Sequence, residues 1–416
     1  MRKIYTIALL TTLAIVHFSC KKTDGYNTIV STDKTKPGPV TNVKVVNFSG
    51  GAYLTYDLPD SKNILYVQAN YMINAKDSRQ AKSSYYSDSI TVSGFALSQD
   101  YQVTLTVVTR ANVSSDPVVV TVHPSTPPYL LAAPTVKMAP DFGGVNITCL
   151  NPAQANIGII VIGPDSTGKL QIINQDYTNQ DSTNFSLRGY DTLPRKFGVY
   201  ITDQWNNISD TVYATIKPIY EVEMNKALFA AYVLPTDVQS FNSYFGLQNL
   251  WDNSIYEPTY NTEQPIVPLV WPAWMTFDMG EAAKLSRFNM VGRTGDSGPG
   301  EFMWGYGTPQ SFVIWGRPDV PVDQTMPDST GLPPVGGMTA NGWINMGEFY
   351  SPAKPSGLPN PQFTSADFAY WQAGFPFDFA LSLPKVRYIR FECLTNMGGT
   401  NNFFDINEMT FWGDPR

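Results

Sequence analysis

The chemistry open to this chain is limited first by its histidines. There are two, His17 and His123. His17 lies in an apolar leader that export would remove. A Ser-His-Asp triad, a Cys-His pair or a His-based zinc site would therefore have to rest on His123. That residue closes a Val-rich strand ahead of a Pro-rich joint, where a structural or solvent-facing place is expected. Cys149 and Cys393 are far apart and read as two buried thiols. Gly295-Asp296-Ser297-Gly298-Pro299-Gly300 is glycine-rich, but no Lys-Ser/Thr pair and no helix follow it, which argues against a phosphate loop. Asp and Glu are plentiful, so composition leaves a carboxylate pair for glycoside hydrolysis open. No segment reads as a hydrolase fold, however, and small sandwiches lack room for a deep cleft. The expectation is a binding protein and no enzyme.

The remaining cysteine, Cys20, ends the leader. Arg2 and Lys3 precede an apolar run, residues 4–16, that falls short of the roughly 20 apolar residues needed to span a bilayer. It runs into Ser19-Cys20, which resembles the end of a bacterial lipoprotein signal. The resemblance implies removal of residues 1–19 and lipidation of Cys20. Several acyl chains, at about 0.8 kcal/mol per buried CH₂, hold a protein durably to a membrane. Residues 20–36 are polar and lack an apolar period, so they read as a tether. No other segment is long and apolar enough to cross a membrane.

Charge narrows the partners. The sequence carries 28 basic and 35 acidic residues, and without Arg2 and Lys3 the balance is 26 to 35, a net −9. An acidic chain with no basic stripe argues against nucleic acid and anionic lipid surfaces. Charged residues make up 15% and aromatic residues 13%, with 31 Gly and 32 Pro. That balance suits a loop-rich β protein and not a disordered one.

The expected fold is all-β, in three domains. Residues 37–124 carry short alternating strands at 43–46, 52–56, 64–73, 89–92, 101–109 and 118–123, the spacing of a sandwich. This segment resembles a fibronectin type III domain. The matching residues are Pro37-Gly38-Pro39, Tyr53-Leu54-Thr55-Tyr56 followed by Asp57-Leu58-Pro59, and Leu97-Ser98-Gln99-Asp100-Tyr101. Tyr101 would be its tyrosine corner. Residues 128–218 read as a second, more divergent fibronectin- or immunoglobulin-like sandwich. Its hairpin around Trp205 reads as a turn with a packing Trp. Residues 220–416 hold all but one of the nine tryptophans. Their strands are separated by long Pro/Gly-rich loops, and a short helix is expected at 238–251. Trp271, Trp274, Trp315, Trp343 and Trp412 lie in or beside strands and are expected in the core.

Six landmarks of the third domain fall in one order. They are Asn249-Leu250-Trp251-Asp252-Asn253 with Thr259; Trp274-Met275-Thr276-Phe277-Asp278-Met279-Gly280; Leu285-Ser286-Arg287-Phe288; Pro309-Gln310-Ser311-Phe312-Val313-Ile314-Trp315-Gly316; Val386-Arg387-Tyr388-Ile389-Arg390-Phe391; and Ile406-Asn407-Glu408-Met409-Thr410-Phe411-Trp412-Gly413. In this order they resemble the discoidin family, a jelly-roll β-sandwich of the coagulation factor type C and galactose-binding-like group. The three-domain arrangement also resembles Bacteroidetes surface lipoproteins encoded with starch-utilisation-type outer-membrane receptors. The resemblance implies glycan capture at the cell exterior, with a polysaccharide ligand and an outer-membrane receptor as partners. A protein ligand gripped by the third domain, in an adhesion or scaffold role, is the alternative.

The resemblance also implies sites. Family ligands bind at the loop end of the barrel, here loops 253–262, 293–308 and 395–405. These carry Tyr256, Tyr260, Arg293, Trp304, Tyr306, Asn396, Asn401, Asn402 and Phe403. Aromatic faces stack on sugar C–H faces, while Arg and Asn bond hydroxyls. Trp304 and Tyr306 are expected to stack, and Arg293 and Asn401 to hold hydroxyls. A structural calcium would fall to Asp252, Thr259 and Glu408, a donor set suited to a hard cation with 6–8 oxygen ligands. Asn253 stands where the family has Gly. The alternative is a loop capped by Asp252, with Glu408 at the surface.

Overall fold

The computed structural model describes residues 31–263, 271–295 and 300–416. The signal segment, Cys20, most of the tether and most of the glycine-rich stretch lie outside the described residues. No helix among the described residues is long and apolar enough to cross a membrane.

The chain is built of β-sheets in sandwich-like layers, as its composition and turn spacing imply. In the first domain the period-two pattern sets the layers. Along Gly51–Asp57, Ala52, Leu54 and Tyr56 are buried while Tyr53, Thr55 and Asp57 face outward. One sheet orders Thr41–Phe48, Gly51–Asp57 and Ser89–Ser93; the other orders Ser78–Ser84, Ile64–Met72, Tyr101–Thr109 and Val118–Val122. Leu54, Val67, Val92, Phe95, Val103 and Leu105 belong to one buried cluster. The Tyr101 hydroxyl accepts the Leu97 N–H at 3.0 Å, which is the expected corner. His123 is exposed, with Nδ1 2.7 Å from an Asp100 oxygen.

The second domain repeats this strand order. Its four-stranded sheet runs Leu170–Thr178, Ile157–Pro164, Arg195–Asp203, Val212–Ile216; its three-stranded sheet runs Ser182–Leu187, Gly144–Leu150, Lys137–Asp141. The chain forms two compact units. One holds the first sandwich with most of that four-stranded sheet. The other holds most of the three-stranded sheet with the third domain. Within the first unit, Trp205 packs on Gly94, where a Cβ would meet the indole at 3.0 Å. The Asn207 amide donates to the Gly94 carbonyl at 3.0 Å. Trp205 is thus a packing residue of the hairpin, as its sequence suggests. Within the second unit, Arg188 reaches Asp141 at 3.5 Å, Glu221 at 3.8 Å and Asp378 at 2.9 Å.

The third domain turns on one strand, Ala273–Val291, of 19 residues. Its first part pairs with Val386–Asn396, and its second part pairs with Glu408–Asp414 and Phe375–Asp378. The pairing register breaks between Asp278 and Ala283. Gly280 sits in that break at φ +80°, and a Cβ there would lie 2.6 Å from Leu228. Glycine is therefore required both by the backbone conformation and by the close approach. Pro309–Arg317 and Ile344–Tyr350 extend the first sheet. Met275, Phe277, Leu285, Phe288, Phe312, Phe391 and Phe411 share one core. Cys149 and Cys393 are free and buried, as expected. The helix expected at 238–251 is instead two 3₁₀ turns, Ser243–Phe245 and Leu247–Trp251.

A second buried cluster includes Trp274, Trp315, Trp343 and Met326. Arg390, fully buried, pins loop 318–343 to the sheet through Asp323 at 3.0 Å and the Gln324 carbonyl at 2.9 Å. It also lies 3.0 Å from Asp237, whose carboxyl burial pushes up to about 6. Glu392 accepts the Trp315 indole N–H at 2.7 Å, while its other oxygen has no partner. Burial pushes the Glu392 carboxyl up to about 8, against the indole bond, which favours the charged form. An unfolded Glu titrates near ~4.3. Between those values the folded chain holds the extra proton, so this group's contribution to stability falls as pH rises. Calorimetry from pH 5 to 8.5 should show the third-domain transition moving down in temperature. Glu392→Gln should flatten that slope, most of all between about pH 5.5 and 7, where the folded chain holds the proton and the unfolded chain does not. An equal slope in both proteins would remove Glu392 as its source.

Candidate functional site

Strand register brings three loops to one end of the third domain. Val291 pairs with Glu408, and Pro309 pairs with Asn396. Tyr260–Asn261 pairs with Asp405–Ile406 at the same end. The segments 252–263, 292–295, 300–308 and 397–404 therefore emerge together.

At their centre is Arg293, only 2% exposed. Its Nε donates to Glu257 Oε1 at 2.6 Å, and Nη1 lies 3.9 Å from Asp405 Oδ2. The guanidinium carbon is 4.9 Å from the Phe302 ring centroid, 5.5 Å from Phe245 and 5.6 Å from Tyr306. A buried cation held by carboxylate and ring faces is a rigid pin. Burial, with the negative charges of Glu257 and Glu263 adding to it, pushes the Asp405 carboxyl up to about 7.

Rings surround the pin. Phe302 stacks on Tyr306 with centroids 4.3 Å apart. Tyr306 Oη donates to Glu263 Oε2 at 2.5 Å, and Phe403 meets its ring edge-on at 4.7 Å. Phe245 carries Tyr244 and Phe241 beside it. Tyr244 and Tyr256 are the open faces, 57% and 56% exposed. Gln372, near the end of helix Ser365–Ala373, donates to Tyr256 Oη at 2.8 Å and fixes that ring. The helix is itself anchored by Trp371, whose indole donates to the Gly292 carbonyl at 3.2 Å.

The nine residues expected to touch ligand divide by burial. Tyr256 and Asn402 are exposed, and Tyr306 and Asn401 are half-buried. The other five are inside, and each has a structural task. Tyr260 packs on Phe404. Arg293 is the pin, so its donors are engaged and are not presented to a sugar. The Trp304 indole donates to the Pro352 carbonyl at 2.9 Å, and its ring packs on Trp371, which removes it as a stacking platform. Asn396 pins its loop by donating to the Phe403 carbonyl at 2.9 Å, while its N–H donates to Asn401 Oδ1 at 2.9 Å. Phe403 packs on Tyr306. Trp304, Tyr306 and Asn401 sit at φ +51°, +52° and +47°. For residues as bulky as Trp and Tyr that region is strained, at a cost of about 1–3 kcal/mol each. The positions of Tyr244, Phe245, Glu257, Glu263 and Phe302 carried no sequence signal beyond residue type.

The three residues implied as calcium ligands do not fit the ion. Asp252 is exposed, and its Oδ1 caps the turn by accepting the Ser254 N–H at 2.7 Å. The Thr259 hydroxyl donates to the Ile406 carbonyl at 2.8 Å. Glu408 is buried, not at the surface, and the Lys226 ammonium sits 2.8 Å from its Oε1. Its Oε2 accepts the Asn253 N–H at 2.8 Å, and Lys226 also donates to Asn253 Oδ1 at 2.9 Å. A divalent cation on Glu408 would face that ammonium at contact range. No group of three or more His, Cys, Asp or Glu side chains among the described residues is arranged to hold a metal ion.

Three family models match parts of the chain. Residues 37–124, 125–227 and 251–413 each match a family model described as a domain of unknown function, DUF4959, DUF5126 and DUF5000 in that order. No curated protein matches. Among solved structures, a SusE-like protein is 28% identical, over 70% of this chain and 100% of that chain, with a TM-score of 0.41. The C-terminal domain of a chitobiase from Bacteroides fragilis is 12% identical over 46% and 97%, with a TM-score of 0.28. A two-domain fibronectin type III segment of chicken tenascin is 12% identical over 43% and 99%, with a TM-score of 0.21.

Proposed function

We propose that the chain is a non-catalytic glycan-binding lipoprotein of the outer membrane, anchored at Cys20, that captures polysaccharide for an outer-membrane uptake system. The observation that carries the binding reading is the collar of rings held around Arg293. Tyr256 presents a fixed, open aromatic face, and Tyr306, Asn401 and Asn402 lie on the neighbouring loops. Fixed rings lose little freedom when a sugar stacks on them, and half-free amides bond hydroxyls without desolvating a charge. The resemblance of the three-domain chain to surface lipoproteins supports the anchor, the location and a receptor partner. The Lys226 ammonium beside Glu408 supports reading this loop end as one held by an internal cation and not by calcium.

Electrophoresis of the full chain in detergent, through gels containing polysaccharides, tests this. Tyr256→Ala should weaken retention about tenfold, or ~1.4 kcal/mol, while Tyr256→Phe, which keeps the ring but loses the Gln372 bond that fixes it, should weaken it less. Unchanged retention in Tyr256→Ala, Asn402→Ala and their double variant would move the site elsewhere. Release of shortened glycan would overturn the non-catalytic reading, and retention by proteins alone would favour the scaffold.

A chelator should leave both retention and melting temperature unchanged, whereas Lys226→Met should cost about 3 kcal/mol by leaving Glu408 buried without its cation. A melting temperature that drops by several degrees on calcium removal would refute the ammonium's role.

A further inference from the structure

The second domain carries an unassigned pocket. It is a cleft of about 270 Å³ at one end of the four-stranded sheet, lined by Asn156, Gly158, Tyr177, Asn179 and Gln204 among others. That is just below the roughly 300–1,000 Å³ of sites enclosing drug-sized ligands, a size for one or two sugar rings.

The floor is built by a glycine. Gly158 pairs with Tyr177 on one side and with Thr202 on the other. A Cβ at Gly158 would meet the Tyr177 ring at 2.8 Å and the Thr202 methyl at 2.8 Å. The missing side chain therefore lets the tyrosine ring lie across the strand, where any other residue would push it off. Tyr177 Oη donates to Gln175 Oε1 at 2.8 Å, which fixes the ring from its own strand. The ring is nonetheless 68% exposed. An exposed aromatic both laid down and fastened differs from one that merely projects into water.

The rim amides are uncharged and open to solvent. The side-chain amides of Asn156, Asn179 and Gln204 are exposed, with no hydrogen bond to any described residue. Asp203, the one acid lining the cleft, is engaged on both oxygens. Its Oδ1 accepts the N–H groups of Trp205 and Asn207 at 2.9 and 3.0 Å, and its Oδ2 accepts the Asn207 amide at 2.8 Å. A fixed ring face with three open amides offers an apolar platform and a fringe of donors and acceptors. No cation is among the lining residues, and the Asp203 charge disfavours an acidic ligand.

We infer that this cleft is a second glycan subsite, taking a neutral sugar residue that stacks on Tyr177 and hydrogen-bonds Asn156, Asn179 and Gln204. The inference borrows its ligand class from the proposed function, but its residues are independent of the third-domain site. Two sites on one chain would hold a polymer more tightly than either alone.

Calorimetric titration of the full chain with neutral oligosaccharides of glucose, mannose, galactose or xylose, four to six units long, tests both sites at once. The sugar that binds should titrate two sites. Tyr177→Ala, at an exposed position, should remove one and leave the constant of the other unchanged. Gly158→Val, which displaces the ring while keeping it, should do the same, with an unaltered melting temperature confirming the fold of Tyr177→Ala. The Tyr256→Ala, Asn402→Ala double variant should remove the other site and leave this one. Two sites persisting in Tyr177→Ala would overturn the second subsite. Binding that survives in the Tyr256 and Asn402 variant but vanishes in Tyr177→Ala would support this subsite while overturning the third-domain site.

Discussion

The third domain depends on one strand serving two sheets. Ala273–Val291 gives its first half to one layer and its second half to the other, and the turn between them is possible only because Gly280 has no side chain to drive into Leu228. Aromatic residues from both halves, such as Phe277 and Phe288, then meet in one core with Phe411. The same strand ends at Val291, so Gly292 and Arg293 follow it directly into the loop cluster. A strained or broken bend would disturb the core and the site together.

Burial of charge is the second constraint, and it shapes the loop end. A charge taken out of water must be matched at close range or it will shed or hold a proton. Arg293 is matched by Glu257 and flanked by rings; Glu408 is matched by Lys226; Arg390 is matched by Asp237 and Asp323. Even so, Glu408 and Asp405 are each pushed up to about 7 by burial. Those pairs are weak evidence of net stability. Their effect is on geometry, because a bonded guanidinium or ammonium allows few arrangements of the loops around it. Loops with little regular structure are thereby given fixed positions.

The sheets were legible wherever burial alternates or runs unbroken, as in Gly51–Asp57 and Val386–Asn396. Strand Ser78–Ser84 was not, since its residues are all small or polar and only its pairing with Ile64–Met72 makes it a strand. Helix Ser365–Ala373 hid for a different reason. Its nine residues show no apolar stripe, and its one signal was the capping pair Thr364 and Asp367. At the site, sequence located the loops but not which side chains face out. Loops have no period, so Trp304 and Tyr306, two residues apart, gave no sign that the first would be buried and the second half-open. Lys226 was invisible because it meets Glu408 across 182 positions, and a lone Lys after Asn225 has no motif.

Both proposed sites invest in ring placement more than in strong bonds. A sugar in water already has its hydroxyls hydrated, so new hydrogen bonds yield only about 0.5–1.5 kcal/mol net. What a protein can add is a platform that loses no freedom on binding. Gly158 beneath Tyr177 and Gln372 beside Tyr256 do this by different local means. Sites of this kind remain individually weak, and under the proposed capture role weakness is useful. Carrying both sites on one chain sets a high local concentration of the second once the first is occupied. Each contact can then release quickly while the polymer as a whole stays held. A single deep site of the same total affinity would have to let go of everything at once.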